Sequence, residues 1–482
     1  MNHSKNNNQK RSKMHFDVIV VGSGPAGVHA TYPLIEAGLK VAIIDGGLDS
    51  KKQDKKIDSF SDANLMKSSH AYDLVRESSH AFNKTYQLLR IKSNIEIIQT
   101  LARGGLSEYW HGICDFLTEK ELLKIGLPVG DIKREYKEIA GRIKLNAQAD
   151  LDFHSKLLLA ELRSKNNFSS KVYQAPLVFP YRTSSHIEDL KRFKNFTYVP
   201  NQLVITVKEE ERHVKIKTAS IDKSKEIVVS ADFLILAAGS INTTRILLRS
   251  FNLFDYKTTF LTKAHYLIAC LHLRTLIKRK RIEESDLGQL VISSKEITQG
   301  LTNFFIQLYR FNPLVIHKVL HYIPLPRILA SFFLSIISPS FMIADIRFPA
   351  FESKNKFCQL KKEKNGKDVL EISFQESNKE MVSHKNEVNK IVQQLRVLGL
   401  LSLKKVNDYT TAHYAGGVPF QQKKGKLSVD MKGKLHQAAR IYVADSSTWR
   451  ALPARPIALT IMANAARVGK NVLKNFNFLQ RK

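Results

Sequence analysis

Gly22, Gly24 and Gly27 stand in the spacing GxGxxG, and Asp45 follows 23 residues after Gly22. The chemistry available to that pattern is the holding of a dinucleotide. The first glycine permits a tight turn, the second lets the backbone approach a pyrophosphate, and the third allows a helix to pack closely on the preceding strand. The positive end of the helix dipole then faces the phosphates, and a carboxylate at the end of the next strand accepts a hydrogen bond from a ribose hydroxyl. The surroundings supply the needed elements: FDVIVV reads as a strand, VHATYPLIEAG as a helix, and LKVAIID as a second strand ending on Asp45. Pro33 falls inside that helix, where the missing N–H costs about 3 kcal/mol unless a kink absorbs it. The fingerprint alone does not choose between NAD(P) and FAD.

Further segments place small or polar residues at turns beside apolar runs: GGLSEYWHG at Gly104 to Gly112, LILAAGSINTTRILLRS at Leu234 to Ser250, HYAGG at His413 to Gly417, and IYVADSS with ALTIMANAARV near the end. In this order they resemble the flavin-contacting segments of the glucose-methanol-choline oxidoreductase family, over roughly the cofactor-binding half of the chain. The resemblance implies FAD, with an NAD(P)-dependent dehydrogenase as the disfavoured rival. It implies that Gly104, Gly105 and Ser107 place backbone and hydroxyl donors beside the flavin or its diphosphate. Leu203 and Val204 fall where the family's strand meets adenine, a position that plain core also explains. Gly239 turns the later strand into its helix, and Asp445 is expected beside the ribityl chain or the diphosphate. The last helix, from about Ala458, aims its N-terminus at the pyrimidine side of the flavin, where its partial positive charge favours the anionic reduced ring. Its small residues Ala463, Ala465, Ala466 and Gly469 read as packing residues. His111 follows Trp110, whereas the family's covalent flavin histidine precedes the tryptophan, where Tyr109 stands here. A structural or surface histidine is therefore expected at position 111.

Oxidising an alcohol needs the hydroxyl proton removed as hydride leaves the carbon, and an imidazole of near-neutral pKa suits that task. By resemblance His413 is the base, the only histidine of 16 in the family's H-x-x-G setting. The family's second side chain, Asn or His in an N-P dipeptide, falls on Pro456, which offers neither donor nor base. Arg455, one residue earlier, or His436, from the preceding loop, is left to supply positive charge to a developing alkoxide. Three readings stay open: a one-histidine oxidoreductase, an enzyme using Arg455 against an acidic substrate, and a redox-silent flavin-binding or membrane-attached scaffold.

Positioning these groups takes more than one small core, and 482 residues suffice for two joined domains. The expected fold class is α/β: a discontinuous, Rossmann-like FAD-binding domain with an α+β substrate-binding domain. The first is assigned residues 15–115, 190–250 and 405–475, and the second residues 116–189 and 251–404, after a disordered basic tail at 1–14. The polar stretch from Gly46 to about Lys67 reads as a surface excursion, and helical periodicity resumes near Ala71.

Lys and Arg exceed Asp and Glu by 31, which would attract an anionic membrane surface or phosphorylated ligands. The basic residues are scattered, and without a zinc spacing or nucleic-acid motif neither a metal site nor nucleic-acid binding is expected. Three widely spaced cysteines, Cys114, Cys270 and Cys358, suit a reducing compartment. The polar start carries no secretory signal, so the expected place is the cytoplasm. From Pro313 to Met342 the chain turns strongly apolar, yet its longest charge-free run without proline, Ile328 to Ile337, is too short for the roughly 20 residues of a membrane span. That stretch, with the basic cluster Lys278 to Arg281, reads either as a helix pair over the active site or as an interfacial helix. The family resemblance implies oxidation of a CH–OH group of a small alcohol, such as a sugar or glycoconjugate, with electrons passed on to oxygen or another acceptor.

Overall fold

The computed structural model describes residues 15–52, 79–110, 112–146, 151, 153–164, 170–178, 181–277, 289–310, 325–326, 328–330, 332, 340–408 and 412–480. The basic tail, His111, the cluster Lys278 to Arg281, most of the excursion after Gly46 and most of the apolar stretch lie outside the described residues.

The apolar run FDVIVV forms the strand His15–Val21 in a seven-stranded sheet. Parallel neighbours flank it, Val41–Ile44 on one side and Glu226–Leu236 on the other. Phe196–Val199 pairs beyond the first, and Ile441–Val443 beside the second. A hairpin of Gln202–Glu209 and Val214–Ser220 continues the sheet in antiparallel sense. The sheet thus collects strands from three distant stretches of sequence. Its parallel centre is covered on both faces, which explains why these strands are near-continuous apolar runs.

The first helix, Pro25–Glu36, and the last, Ala458–Gln480, pack together over one face of this sheet. Gly469 allows the contact, because a Cβ there would lie 2.3 Å from the carbonyl oxygen of Ala30. The first helix continues through Pro33.

A second sheet has six antiparallel strands in the order Leu400–Asp408, His265–His272, Phe341–Arg347, Phe305–Arg310, Leu290–Ser294 and Ser170–Gln174. The expected domain boundary between residues 404 and 405 falls within its edge strand. The helices Asn378–Val397 and Phe153–Ser164 cover the outer face, with Val388, Ile391, Leu395 and Leu158 among Ile268, Ile306, Ala344 and Ile346. Because side chains alternate along a strand, residues of the other parity face inward, among them His265, Gln307, Tyr309, Asp345 and Arg347. They face the carboxyl ends of the parallel strands, where open α/β sheets bind ligands.

Among the described residues no helix is long and apolar enough to cross a membrane. Of the apolar stretch, Ile328 is 81% and Phe332 61% exposed.

Candidate active site

A cavity of about 1140 Å³ lies between the two sheets. The nucleotide-side sheet and its loops contribute Gly22, Gly24, Asp45, Gly105, Ser107, Val204, Gly239 and Asp445 to its wall. From the opposite side come His265, Gln307, Tyr309, Asp345, Arg347, His413 and Pro456. The sequence therefore brought both ends of the expected site to one space.

Gly22 adopts φ +99°, and a Cβ there would lie 2.5 Å from the carbonyl oxygen of Ala237. The first helix begins at Pro25 with Gly24 as its cap, and no side chain accepts its first-turn N–H groups. Gly24, Pro25 and Ala26 line the cavity, so this positive helix end is open to an anion. Ser23 knits the neighbouring pieces together: its Oγ donates to Asp45 Oδ2 at 2.5 Å and accepts from the Gly104 N–H at 2.9 Å. The Tyr198 hydroxyl also donates to Asp45 Oδ2, at 3.0 Å. Burial pushes the Asp45 carboxyl above the ordinary carboxylate range, and these hydrogen bonds oppose the rise.

Several expected ligand contacts are partly used within the protein. The Ser107 hydroxyl donates to the Gly104 carbonyl at 2.8 Å and meets Thr183 Oγ1 at 2.5 Å, so it holds the second glycine loop in shape. Asp445 accepts from the Gly239 N–H at 3.0 Å, Thr243 Oγ1 at 2.6 Å and the Ser447 N–H at 3.0 Å. It therefore fixes the turn into the helix Ser240–Ser250 while lining the cavity. Gly27 is a packing glycine, since a Cβ there would lie 1.8 Å from the Gly22 carbonyl oxygen.

His413 is positioned by a short ladder in which Leu261 pairs with Ala415 and Thr262 with Tyr414. One further step in that register sets His413 opposite Lys263. The turn that follows needs Gly417, with φ +111° and Thr244 Oγ1 2.0 Å from where a Cβ would stand. Burial drives the imidazole well below the usual histidine range, and the charges of Lys263 and Arg347, with His265, add to the effect. A neutral imidazole at the cavity wall is the form that can accept a proton.

Lys263 is fully buried, and its Nζ donates to the carbonyls of Ala454 at 3.1 Å and Arg455 at 2.6 Å, directly before Pro456. Pro456 and, from the first turn of the last helix, Ala458 and Ile461 line the cavity.

Arg455 does not reach this space. Its guanidinium donates to Asp115 Oδ2 at 2.7 Å, Tyr173 OH at 3.0 Å and Ser293 Oγ at 2.9 Å, and its Nε lies 3.3 Å from Glu121 Oε2. Two carboxylates hold it in a buried network, so the expected role beside an alkoxide is not one its geometry serves. His436 likewise points elsewhere, its Nε2 2.9 Å from the Gln421 carbonyl.

Sequence reasoning missed the polar face of the second sheet. Arg347 donates to Asp345 Oδ2 from Nε at 3.1 Å and from Nη2 at 2.6 Å, and its Nη2 lies 3.3 Å from Tyr309 OH. His265 stands opposite Arg347, and Gln307 opposite Asp345, in the ladder register. The available signal was polar residues two apart in otherwise apolar strands: Gln307 and Tyr309 in FIQLYR, Asp345 and Arg347 in FMIADIR.

The cradle fits FAD: an uncapped helix end for a pyrophosphate, a carboxylate for a ribose, and a largely apolar chamber leading on to His413. Residues 17–103 match the family described as FAD binding domain. No curated protein matches the sequence. Among solved structures, the crystal structure of pyridoxine 4-oxidase from Mesorbium loti aligns with a TM-score of 0.66 at 13% identity, covering 95% of this chain and 99% of that one. FAD, rather than NAD(P), is the dinucleotide of this cradle. The chain is an FAD-binding flavoprotein with the fold of pyridoxine 4-oxidase, the fold class implied by its resemblance to the glucose-methanol-choline oxidoreductases.

Proposed function

We propose that this protein is an FAD-dependent oxidoreductase that oxidises a CH–OH group of a small, polar alcohol, with His413 as the base. The observation that carries the reading is that His413 lines the same cavity as the dinucleotide cradle. When bound, FAD supplies the acceptor for the hydride that leaves the substrate carbon. His413 takes the hydroxyl proton as the carbonyl forms, which its neutral state permits. Gly22, Gly24, Gly105, Gly239 and Val204 line the cavity, where the four glycines would hold the cofactor and Val204 would meet its adenine.

Gln307, Tyr309, Asp345 and Arg347 offer both donors and acceptors to a substrate. That supports an alcohol with several hydroxyls, such as a sugar or glycoconjugate. Arg347 takes the place proposed from the sequence for Arg455, as the cation facing the cavity. The pyridoxine 4-oxidase likeness supports alcohol oxidation as the reaction class.

An anaerobic screen of polyols, sugars and nucleotide sugars tests the proposal by loss of the oxidised flavin spectrum. Bleaching by an alcohol, abolished in His413→Ala, is the expected result; a flavin that no alcohol reduces would leave the redox-silent scaffold. That second reading is favoured by Pro456, which lines the cavity and has no proton to give. The exposed Ile328 and Phe332, with the formal charge of +31, support attachment to an anionic membrane surface from the cytoplasmic side. Co-sedimentation with anionic but not neutral vesicles is the matching test.

A further inference from the structure

The cavity wall between the segment 96–102 and the helix Ser240–Ser250 contains polar atoms that the protein leaves unused. Gln99 is 7% exposed, and neither its Oε1 nor its Nε2 has a hydrogen-bond partner. Facing the same space, Asn242 has an unpartnered Oδ1 and Arg245 an unpartnered Nε. Arg245 is also deeply buried, and its Nη2 donates to the carbonyl of Arg90. Buried polar atoms without partners cost a fold free energy, so one wholly unpartnered amide, with an amide oxygen and a guanidinium Nε beside the same cavity, points to a ligand that completes them.

Its place in the fold indicates which part of a ligand. The Gln202 N–H donates to the Asp45 carbonyl at 3.0 Å, so the strand Gln202–Glu209 begins beside the ribose carboxylate. Gln202, Leu203 and Val204 line the cavity next, and the helix carrying Asn242 and Arg245 packs against that strand. Leu101 packs on Gly46, immediately after Asp45, so the segment carrying Gln99 approaches from the opposite side. An aromatic base attached to a ribose at Asp45 runs into this polar end. An amide presents one acceptor and a donor side by side, which matches the amino group and ring nitrogen of adenine.

We propose that Gln99, with Asn242 and Arg245, grips the adenine of the dinucleotide through hydrogen bonds to its edge. The cluster is a binding determinant of this chain, and it rests on FAD as the ligand. Gln99 carries the test because both of its polar atoms are unused in the ligand-free protein, whereas Arg245 also ties down the Arg90 backbone.

Gln99→Leu and Gln99→Met are made in the full chain, stripped of flavin and titrated with FAD, and with ADP as the adenine-bearing probe without flavin. Affinity for both is expected to fall by roughly tenfold. Melting of the ligand-free chain is expected to hold or rise, because the variants remove an unsatisfied buried amide. Unchanged FAD affinity in both variants would mean that the polar cluster holds only water, and would overturn the proposal. So would a lowered melting temperature of the ligand-free variants, which marks a structural amide, or a loss for FAD that ADP does not share, which moves the contact away from adenine. A wild-type chain that takes up no FAD fails the cofactor reading itself, and is distinct from each of these outcomes.

Discussion

The guanidinium of Arg455 lies 2.7 Å from the carboxylate of Asp115, joining the residue before Pro456 to the segment that leaves the second glycine loop. Both residues are buried, and Glu121, Tyr173 and Ser293 complete the network. Burial pulls the guanidinium down, but Asp115, Tyr173 and Glu121 outweigh it and hold the group above its ordinary range, so it stays charged at every working pH. Removing one partner strands the other charge in the interior, which costs about 3–5 kcal/mol. Arg455→Ala and Asp115→Ala are each expected to lower stability by that order in denaturant titrations. Replacing both by apolar residues of similar volume should cost less than either single change. An Arg455→Ala variant as stable as the parent but unable to reduce its flavin would return Arg455 to the chemistry.

Two glycines of the fingerprint should fail in different ways. Gly27→Ala forces a Cβ to 1.8 Å from the Gly22 carbonyl, so the opening strand, turn and helix cannot close as they do. Low yield of folded protein is expected. At Gly24 the backbone has φ −68°, and the nearest atom to an added Cβ is the Gly104 carbonyl oxygen at 3.9 Å. Gly24→Ala should therefore fold as the parent does, yet bind FAD about tenfold more weakly or worse, because the methyl group enters the space a pyrophosphate needs. Melting curves with and without FAD separate the two: the first loses its transition, while the second loses only its shift.

That contrast marks where the sequence was readable. The nucleotide cradle is local: Gly22, Gly24, Gly27 and Asp45 lie within one strand, helix and strand, and period and turn chemistry suffice to place them. His413 was placed by the HYAGG pattern; the pairing of Tyr414 and Ala415 with Thr262 and Leu261 holds that segment, and His413 lines the cavity. The polar face of the second sheet depends on which strands pair, and nothing local says that Asp345 will stand between Leu267 and Gln307. Arg455 shows the converse limit. Its sequence position beside Pro456 suggested chemistry, but Asp115 is 340 residues away, and only the folded chain reveals that it holds the guanidinium aside.

His413 should show itself in the pH dependence of flavin reduction. A base must be unprotonated to work, so the rate should fall as pH drops through the pKa of His413. Because burial first, and then Lys263, Arg347 and His265, hold that pKa below the usual value near 6.5, the acid limb should lie below about 6.5. Lys263→Met removes one opposing charge and should move the limb upward, toward the ordinary histidine value, while Asp345 and Arg347 remain paired. His413→Gln should slow reduction by about 10²- to 10⁴-fold with FAD still bound. An unshifted limb in Lys263→Met, measured by anaerobic stopped flow, would count against this coupling.

The last prediction concerns Pro456. It lines the cavity immediately before the final helix, and Lys263 fixes the two carbonyls that precede it. A segment held that firmly should present a new side chain without moving. Pro456→Asn therefore puts a donor at the wall shared with His413 and is expected to raise the rate of flavin reduction by about three- to tenfold, the worth of one added hydrogen bond. The gain should appear in the rate at saturating alcohol rather than in KM, since the donor strengthens the bond to the oxygen only as negative charge builds there. A rate that falls while FAD binding and stability persist would show that this chain relies on the closed, apolar surface of proline at that wall, and that His413 works without a partner on that side.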